Sequence, residues 1–500
     1  MNGFLRRNKS APREETIRIE LPSQVPPYPL LDTYEVKPYE VRISDIAGKH
    51  YYSAALSSEA TSQLERASKV LQVLETEQWT PPVKPANLGD LLFQLKARLA
   101  PALASEAVSS ALEMSEVLAY QFVGLPSMFP FFKDDLVDEL YLDSPHSTLY
   151  LDHRKLGRCD TFVFMSNREL KALETHLEMF CGESPSLERP TIKGELQIAG
   201  LRLRVGIDTP PLSLNGESVH IRKLGAKPFT LPQLVLDGTL GLEEAAFLGA
   251  CLVGSVNITI VGPSGSGKTS LLNALDIAAP PDYRRIYIED AVESLDLAAL
   301  GVHQTKLRVP PLESELDGGA MKSLEVLKSL HKTPDLLVLG EIQSEGHSRA
   351  LFQALSSGIK GLQTYHASGP EQAVRRWTQL HGIAPVQLAD LGVIVTMIRP
   401  SSLSSKRYVI RVSQVSCSGD VQDVYSTAPP FEGPRRAMEI SSTKASLECD
   451  SVRGSGWFAE TYSSCLRRLQ KAIDLGATDV PGFIGTYWDR SEMNQHGINS

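Results

Sequence analysis

The chain has few cysteines, no excess of basic residues and no long apolar run. Its six cysteines among 500 residues are scattered and include no CxxC pair, which argues against a zinc site and against a disulfide framework. The formal net charge of -9 argues against general nucleic-acid binding, which depends on Lys and Arg. No stretch approaches the ~20 apolar residues of a membrane-spanning helix, and residues 1–16 lack the apolar region of a secretory signal. We therefore expect a cytoplasmic protein with no zinc, no disulfides and no nucleic-acid partner.

The first half of the chain mixes strands and helices. Residues 1–30 are polar and proline-rich, so we expect a flexible tail there. Residues 31–125 contain short strand-like runs followed by two helical stretches, which predicts a mostly helical region. Residues 126–228 alternate strands with an amphipathic helix, which predicts an α+β (PAS-like) domain. Within it, residues 194–207 predict a hairpin that turns at Ala199–Gly200.

From about residue 230 the pattern changes to strands that alternate with helices. Such alternation is typical of a parallel sheet covered on both faces. We therefore predict an α/β domain of the RecA-like kind over residues 229–415. Residues 416–500 are predicted to form a C-terminal extension, with a final helix around Tyr462–Leu475.

The strongest motif is a complete GxxxxGKT loop between an apolar strand and a helix. Glycines let successive backbone N–H groups converge on phosphate oxygens, and the helix N-terminus adds partial positive charge. Lys268 is expected to reach the β- and γ-phosphates, and the Thr269 hydroxyl is expected to bind Mg²⁺. The predicted nucleotide-binding residues are Gly262, Pro263, Ser264, Gly265, Ser266, Gly267, Lys268, Thr269 and Ser270.

Three further strands end in groups that can take part in ATP hydrolysis. The strand LLVLGE ends in Glu341, our candidate for the base that activates water. Gly340 stands where many phosphate-loop enzymes have Asp, so another carboxylate is expected to help hold the metal. Glu289 and Asp290 end the strand before it and can supply that contact, although Asp290 can instead cap a turn. His366 ends a third strand, where it contacts the γ-phosphate or is a buried, structural histidine.

The phosphate loop, YIEDAVE, LLVLGEI and TYHA occur in an order and spacing that resemble the type II/type IV secretion ATPase superfamily. They correspond to its Walker A motif, aspartate box, Gly-Glu form of Walker B and histidine box. VHIRKLGAKPFT and YEVKPYEV resemble the archaeal members that drive archaella and type IV pili. The resemblance covers about residues 30–415 and implies an ATP- and Mg²⁺-dependent motor that works with a membrane platform protein of a pilus or secretion system.

The chain also departs from the family pattern. The missing CxxC pair separates it from the zinc-bearing branch. LKSLHKTPD replaces an arginine-rich segment before Walker B, AVESLDL follows the aspartate box, and Tyr365 replaces the usual Leu beside His366. None of these changes removes a core catalytic group.

The resemblance further implies a hexameric ring in which arginines of one subunit complete the ATP site of its neighbour. Arg202 and Arg222 match those positions. Within residues 256–382 we find no arginine at an obvious phosphate-facing strand end, although γ-phosphoryl transfer is commonly accelerated by one. Solvated strand-face arginines are the alternative for both residues. A DNA-translocating ATPase and a nucleotide-binding scaffold without turnover are the competing functions.

Overall fold

A computed structural model describes residues 29–182, 184–198, 200–224, 228–309, 318–401, 406–427 and 435–488. They form two compact units, which we call the N-terminal unit (within residues 1–226) and the C-terminal unit (within residues 227–401 and 406–500). Apart from its last two residues, the predicted tail lies outside the described part of the chain. Every helix of the described residues is too short or too polar to cross a membrane.

The N-terminal unit is built on a nine-stranded sheet. Its strands are β1 (Leu30–Val36), β2 (Tyr39–Ile46), β3 (Lys49–Leu56), β4 (Val137–Leu142), β5 (Thr148–His153), β6 (Gly157–Phe164), β7 (Thr191–Ile198), β8 (Leu201–Asp208) and β9 (Ser218–Leu224). Their order across the sheet is β1-β2-β3-β6-β5-β4-β9-β8-β7. β3 and β6 are parallel, and β7 and β8 form the predicted hairpin, although its turn residue Ala199 lies outside the described residues.

One face of this sheet lies in the hydrophobic core. In β8, Leu203 and Val205 are buried while Arg202 and Arg204 on the other face are half-buried, as the two-residue period of a strand requires. The helices of the unit are α1 (Ser58–Thr76), α2 (Leu88–Ser105), α3 (Ala111–Phe122), α4 (Phe129–Lys133) and α5 (Asn167–Cys181).

The predicted boundary between residues 31–125 and 126–228 is wrong. β1 to β3 join the same sheet as β4 to β9, and one hydrophobic core extends from Val36 to Ile221. The connection depends on pairing of Tyr51 with Asp160 between β3 and β6. Local sequence patterns indicate strands but not which strands pair across about 100 residues of chain. They therefore predict residues 31–125 as a separate, mostly helical region.

The C-terminal unit holds a second nine-stranded sheet. Its strands are β10 (Ile258–Val261), β11 (Arg284–Glu289), β12 (His303–Arg308), β13 (Leu336–Ile342), β14 (Gly361–Tyr365), β15 (Val393–Ile398), β16 (Tyr408–Val415), β17 (Val421–Ser426) and β18 (Arg435–Arg436). Their order is β12-β11-β13-β14-β10-β15-β16-β17-β18. β10 to β15 are parallel, and β16 to β18 are antiparallel to their neighbours.

Helices cover both faces of this sheet. In β13, Leu336 and Val338 belong to one hydrophobic core, whereas Leu337 and Leu339 belong to another. This arrangement confirms the predicted α/β, RecA-like class. The helices are α6 (Leu231–Leu236), α7 (Leu242–Val253), α8 (Lys268–Ala278), α9 (Gly318–Ser329), α10 (Glu345–Ser356), α11 (Pro370–Arg375), α12 (Lys444–Arg453), α13 (Trp457–Asp474) and α14 (Val480–Tyr487).

The predicted C-terminal extension, residues 416–500, is not a separate region. β17 and β18 continue the sheet, and α12 to α14 contribute to the core that also contains α7 and α8. Phe458 of α13 packs edge-to-face on Phe247 of α7, with ring centroids 5.8 Å apart. The described part of this segment therefore belongs to the C-terminal unit, and only tertiary packing reveals it.

A buried ion pair anchors α8 to the sheet. Asp276 of α8 accepts a hydrogen bond from Arg285 Nη1 at 2.9 Å and one from Tyr287 Oη at 2.8 Å, and neither charged side chain is exposed. Removing one member of such a pair leaves an uncompensated buried charge, which costs about 3–5 kcal/mol. The contact fixes the helix that begins at the phosphate loop.

Candidate active site

The phosphate loop joins β10 to α8 at the carboxyl edge of the parallel strands. α8 begins at Lys268, and its N-cap Gly267 has a φ of 94°, a conformation that glycine adopts without steric cost. At Gly262 the constraint is space, because a Cβ would lie 2.4 Å from Met397 O and 2.6 Å from Ser266 Oγ. Close packing of the loop against β15 therefore requires glycine at this position.

Lys268 folds back over its own loop. Its Nζ donates hydrogen bonds to Gly262 O at 3.0 Å and to Pro263 O at 2.9 Å. The same ammonium group can exchange these carbonyls for phosphate oxygens. Ser266 Oγ is buried and has no hydrogen-bond partner among the described residues. A buried donor in this state fits a phosphate oxygen, since buried polar atoms are nearly always paired.

β13 and β14 end side by side and bring Glu341 and His366 together. His366 Nε2 lies 2.5 Å from Glu341 Oε1, and His366 Nδ1 lies 3.4 Å from Lys268 Nζ. Because an ammonium group only donates, we assign Nδ1 as the acceptor and Nε2 as the nitrogen that carries the proton. Three residues predicted from separate motifs, the phosphate loop and two strand ends, thus form one chain of contacts, which we call the Lys–His–Glu chain.

Glu341 is held as a carboxylate. Burial by itself raises the pKa of Glu341, but the hydrogen bonds from His366 and Gln343 and the nearby charge of Lys322 outweigh it and lower the pKa to about 2. Gln343 Nε2 donates to the other carboxylate oxygen at 2.7 Å. Both oxygens therefore have partners, and Glu341 has to release one of them before it can accept a proton from water.

Glu289 ends β11 and is bound to the loop that follows it. Its carboxylate accepts hydrogen bonds from Ser294 Oγ at 2.6 Å, Ser294 N at 2.9 Å and Glu293 N at 3.1 Å. The side chain also fills the space beside Gly340, where a Cβ would lie 3.6 Å from Glu289 Cγ. Burial raises its pKa despite these hydrogen bonds. This arrangement favours a structural role for Glu289 and leaves Asp290 as the better metal candidate.

Lys322 of α9, which the sequence analysis missed, connects two of these strand ends. Its Nζ donates to Glu341 O at 2.7 Å and lies 3.5 Å from Asp290 Oδ1, with only 3% of the side chain exposed. The signal in the sequence is weak but present: Lys322, Val326 and Ser329 are buried at helical spacing, so a lysine occupies the inward face of an amphipathic helix.

Arg376, to which the sequence assigns no role, contacts His366 in the candidate active site. It begins a π-helical turn, Arg376–Leu380, after α11. Its guanidinium donates to His366 O and lies 4.8 Å from the ring centroid of Tyr365. Arg376 therefore fixes the backbone of the residue that ends β14.

Two further arginines lie against the phosphate loop. Arg407 Nε donates to Gly265 O at 3.3 Å, and Arg399 follows β15, the strand beside β10. Both arginines lie beyond residues 256–382, the range in which we expected no arginine at a phosphate-facing strand end. Arg399 stands at the carboxyl end of a parallel strand, so this subunit has such an arginine outside residues 256–382.

Arg202 and Arg222 lie in the N-terminal unit, on β8 and β9. Arg222 Nε is 3.6 Å from Glu139 Oε1, and Arg222 is directly opposite Arg204 on the neighbouring strand. Like charges at opposite positions are destabilising, so Glu139 offsets part of that cost. A role for either arginine in a neighbouring subunit remains a prediction.

The oxygen ligands near the loop fit Mg²⁺. Thr269 stands in the first turn of α8, and Asp290 follows β11 at the same edge of the sheet. The described residues contain no group of three or more His, Cys, Asp or Glu able to hold a metal ion. Mg²⁺ usually takes one or two protein ligands together with phosphates and water, so the residues present fit a metal ion that binds with the nucleotide.

Comparison with known sequences gives a family match over about half of the chain. The model of the type II/IV secretion system protein family matches residues 191–444. An uncharacterized protein of Methanocaldococcus jannaschii is 28% identical over 239 residues, which are 46% of this chain and 32% of that protein. The match spans 46% of a second protein from that organism. More than half of each of these two Methanocaldococcus proteins therefore lies outside the match.

Two bacterial relatives are matched over more of their length. The conjugal transfer protein TrbB of Rhizobium radiobacter is 30% identical over 233 residues, which are 45% of this chain and 67% of that protein. The type IV secretion system protein PtlH of Bordetella pertussis is 28% identical over 278 residues, which are 51% of this chain and 79% of that protein. All four matches cover more than 230 residues and therefore extend well beyond the phosphate loop.

Proposed function

Because the chain belongs to the type II/IV secretion system protein family, we propose that it hydrolyses ATP and converts the energy into mechanical work at a pilus or secretion machine. The observation that carries the proposal is the Lys–His–Glu chain at the phosphate loop. It connects a phosphate-binding cation to a carboxylate able to accept a proton from water.

ATP binding begins with an exchange of partners at the loop. Lys268 Nζ gives up Gly262 O and Pro263 O for β- and γ-phosphate oxygens, and Ser266 Oγ donates to the same phosphates. Movement of Lys268 also removes its contact with His366 Nδ1, and this nitrogen, once it has taken up a proton from solvent, can donate a hydrogen bond to the γ-phosphate. His366 thereby communicates the presence of the γ-phosphate to Glu341.

Hydrolysis follows once Glu341 has exchanged one of its partners for water. The water oxygen forms a bond to the γ-phosphorus while the bond from that phosphorus to the bridging oxygen of ADP breaks. Glu341 takes the proton that the water loses and passes it to the phosphate product. Lys322 and Arg376 hold the backbones of Glu341 and His366 during this step.

Mg²⁺, when bound, neutralises charge on the β- and γ-phosphate oxygens. Thr269 and Asp290 are the residues proposed to hold it. We expect activity to require Mg²⁺ and to be unaffected by zinc chelators, because the sequence offers no close-spaced thiols. Elemental analysis of the purified protein checks this expectation, and stoichiometric zinc would contradict it.

The working unit is proposed to be a homo-oligomeric, hexameric ring at the cytoplasmic face of a membrane, attached through a platform protein. Arg202 and Arg222 would supply charge to a neighbouring subunit. The archaeal pilus or archaellum branch is supported by the motif YEVKPYEV and by the Methanocaldococcus match. The similarity to a conjugal transfer protein supports a second candidate function, that of a DNA-translocating ATPase.

Phosphate release distinguishes these functions from a scaffold without turnover. We expect steady turnover by the wild type, loss of tight ATP binding in Lys268→Ala, and a roughly 10²-fold lower rate with retained binding in Glu341→Gln. Glu345→Gln, an exposed carboxylate paired with Arg349 on the surface, is the matched control. Stimulation by duplex or single-stranded DNA would favour the translocase, and binding without any turnover would favour the scaffold.

A further inference from the structure

Arg399 and Arg407 approach the phosphate loop from β15 and β16. Arg407 Nε donates to Gly265 O at 3.3 Å, and its Cγ and Cδ would lie 3.6 Å from a Cβ built on Gly267. A Cβ on Gly265 would lie 3.7 Å from Arg399 Nη1. Both guanidinium groups are thus within a few ångströms of the backbone that cradles phosphates, and a larger residue at either glycine would crowd them.

The strand order determines which end of the nucleotide these arginines face. Glu341 lies near the carboxyl end of β13 and His366 follows β14, both on one side of β10, whereas Arg399 follows β15 on the other side. Adjacent strands are about 4.8 Å apart, so the two sets stand on opposite sides of the loop. The γ-phosphate has to lie toward Glu341 for water attack. The nucleoside end therefore lies toward β15 and β16.

We propose that Arg399 and Arg407 bind the α-phosphate from the nucleoside side and so hold ADP as firmly as ATP. The proposal rests on the proposed ATPase function and assigns a specific part of the substrate to two residues of the same chain. Guanidinium groups are always charged and form strong hydrogen bonds to phosphate oxygens. A contact to the α-phosphate is made equally in the ground state and in the transition state, so it governs affinity more than chemistry.

This assignment differs from that of an arginine acting on the γ-phosphoryl group. Such an arginine stabilises charge that develops in the transition state, and its loss lowers kcat. Loss of Arg399 or Arg407 is instead expected to weaken binding of ADP and ATP by the same factor, roughly tenfold for each residue, as for a charged hydrogen bond. KM should rise by more than kcat falls.

The test measures equilibrium binding of fluorescent ADP and of a fluorescent non-hydrolysable ATP analogue, together with kcat and KM for ATP. The variants are Arg399→Gln, Arg407→Gln and the charge-conserving Arg399→Lys and Arg407→Lys. Arg411→Gln is the matched control, because this β16 arginine is instead paired with Glu371 at 2.7 Å and Asp423 at 2.9 Å. Thermal unfolding verifies that each variant is folded.

Equal weakening for both nucleotides, partly restored by Lys, supports the assignment. Unchanged ADP binding in the folded Gln variants would overturn it, as would a fall in kcat without a change in ADP affinity, the result expected of a γ-phosphate arginine. A wild type that binds ADP but does not turn over ATP would contradict the proposed function. The ADP affinities of the arginine variants would then still decide whether Arg399 and Arg407 bind the α-phosphate. A wild type that binds neither nucleotide overturns both.

Discussion

The two units present their candidate functional residues in different ways. In the C-terminal unit, Lys268, Glu341 and His366 stand where parallel strands end, and each contacts another member of the set. In the N-terminal unit, Arg202 and Arg222 stand within antiparallel strands, on the face opposite the hydrophobic core. The first set is complete within one unit, whereas the second is spread over a sheet surface.

This difference has a physical basis. Parallel strands collect residues distant in sequence at one edge, where loops and helix N-termini supply donors and charge. A strand face offers only its cross-strand neighbours, which for Arg222 are Arg204 and Glu139. We infer that the strand-end residues perform chemistry inside a subunit, and that the face arginines gain a role only when another subunit covers them.

The largest effect on ATP hydrolysis is expected when the phosphate-loop lysine and the strand-face arginines are removed from different subunits and the subunits are then mixed. Lys268→Ala subunits keep the face arginines, and Arg202→Ala/Arg222→Ala subunits keep the phosphate loop. Neither should hydrolyse ATP alone, but mixtures should regain partial activity that rises with protein concentration, because each completed site needs both kinds of subunit. Phosphate release measured across mixing ratios checks this.

The control is Lys193→Ala, because Lys193 is an exposed residue of β7 in the same sheet as Arg202 and Arg222. It tests whether removing any positive charge from this sheet lowers turnover. It should retain wild-type turnover. Absence of rescue in mixtures shown by native mass spectrometry to contain both subunits would contradict action in trans, and the contrast between the two units would then lose its functional meaning.

A smaller effect is expected inside the C-terminal unit from Lys322→Met. This change removes the ammonium that joins Glu341 O to Asp290 while keeping much of the side-chain volume. We expect kcat to fall about tenfold, the scale of one charged hydrogen bond, with a smaller change in ADP affinity. Lys322→Arg should restore part of the rate.

Steady-state kinetics and thermal unfolding distinguish a Lys322 that positions Glu341 for catalysis from a Lys322 that only stabilises the fold. Lys328→Met alters an exposed lysine of the same helix that pairs with Glu325 at 2.7 Å, and it should leave kcat unchanged. A lower melting temperature in Lys322→Met with normal kcat would show that the lysine only stabilises the fold.

The smallest expected effect is a shift in pH dependence. In the wild type His366 lowers the pKa of Glu341 to about 2, below the ordinary value of about 4.3. His366→Ala removes that contact while burial, which raises the pKa, remains. The base therefore protonates at higher pH, and the acid limb of the kcat profile should move up by about one unit or more.

His303→Ala, at the opposite end of the parallel strands, is the control for this pH profile. Its acid limb should coincide with that of the wild type. An acid limb that stays in place after His366→Ala would show that Glu341 is not the group whose ionisation limits the reaction.

Much of the candidate site is predictable because its signals are local. The phosphate loop is recognisable from a strand, a glycine-rich loop and a helix in immediate succession, and the structure has all three at Ile258–Ala278. Glu341, Asp290 and His366 were identified because each follows a short apolar strand. Carboxyl ends of parallel strands share one edge, so locating the strands already groups these residues.

The sequence by itself thus determined the α/β class, the loop and the acids and histidine around it. Tertiary structure alone decided that Lys322 reaches Asp290 and Glu341, that Glu289 fills the space beside Gly340, and that Arg399 lies beside the loop. It also decided that residues after 416 complete the C-terminal unit. Local periodicity encodes strands and helices, whereas which strands become neighbours depends on packing between segments far apart in the chain.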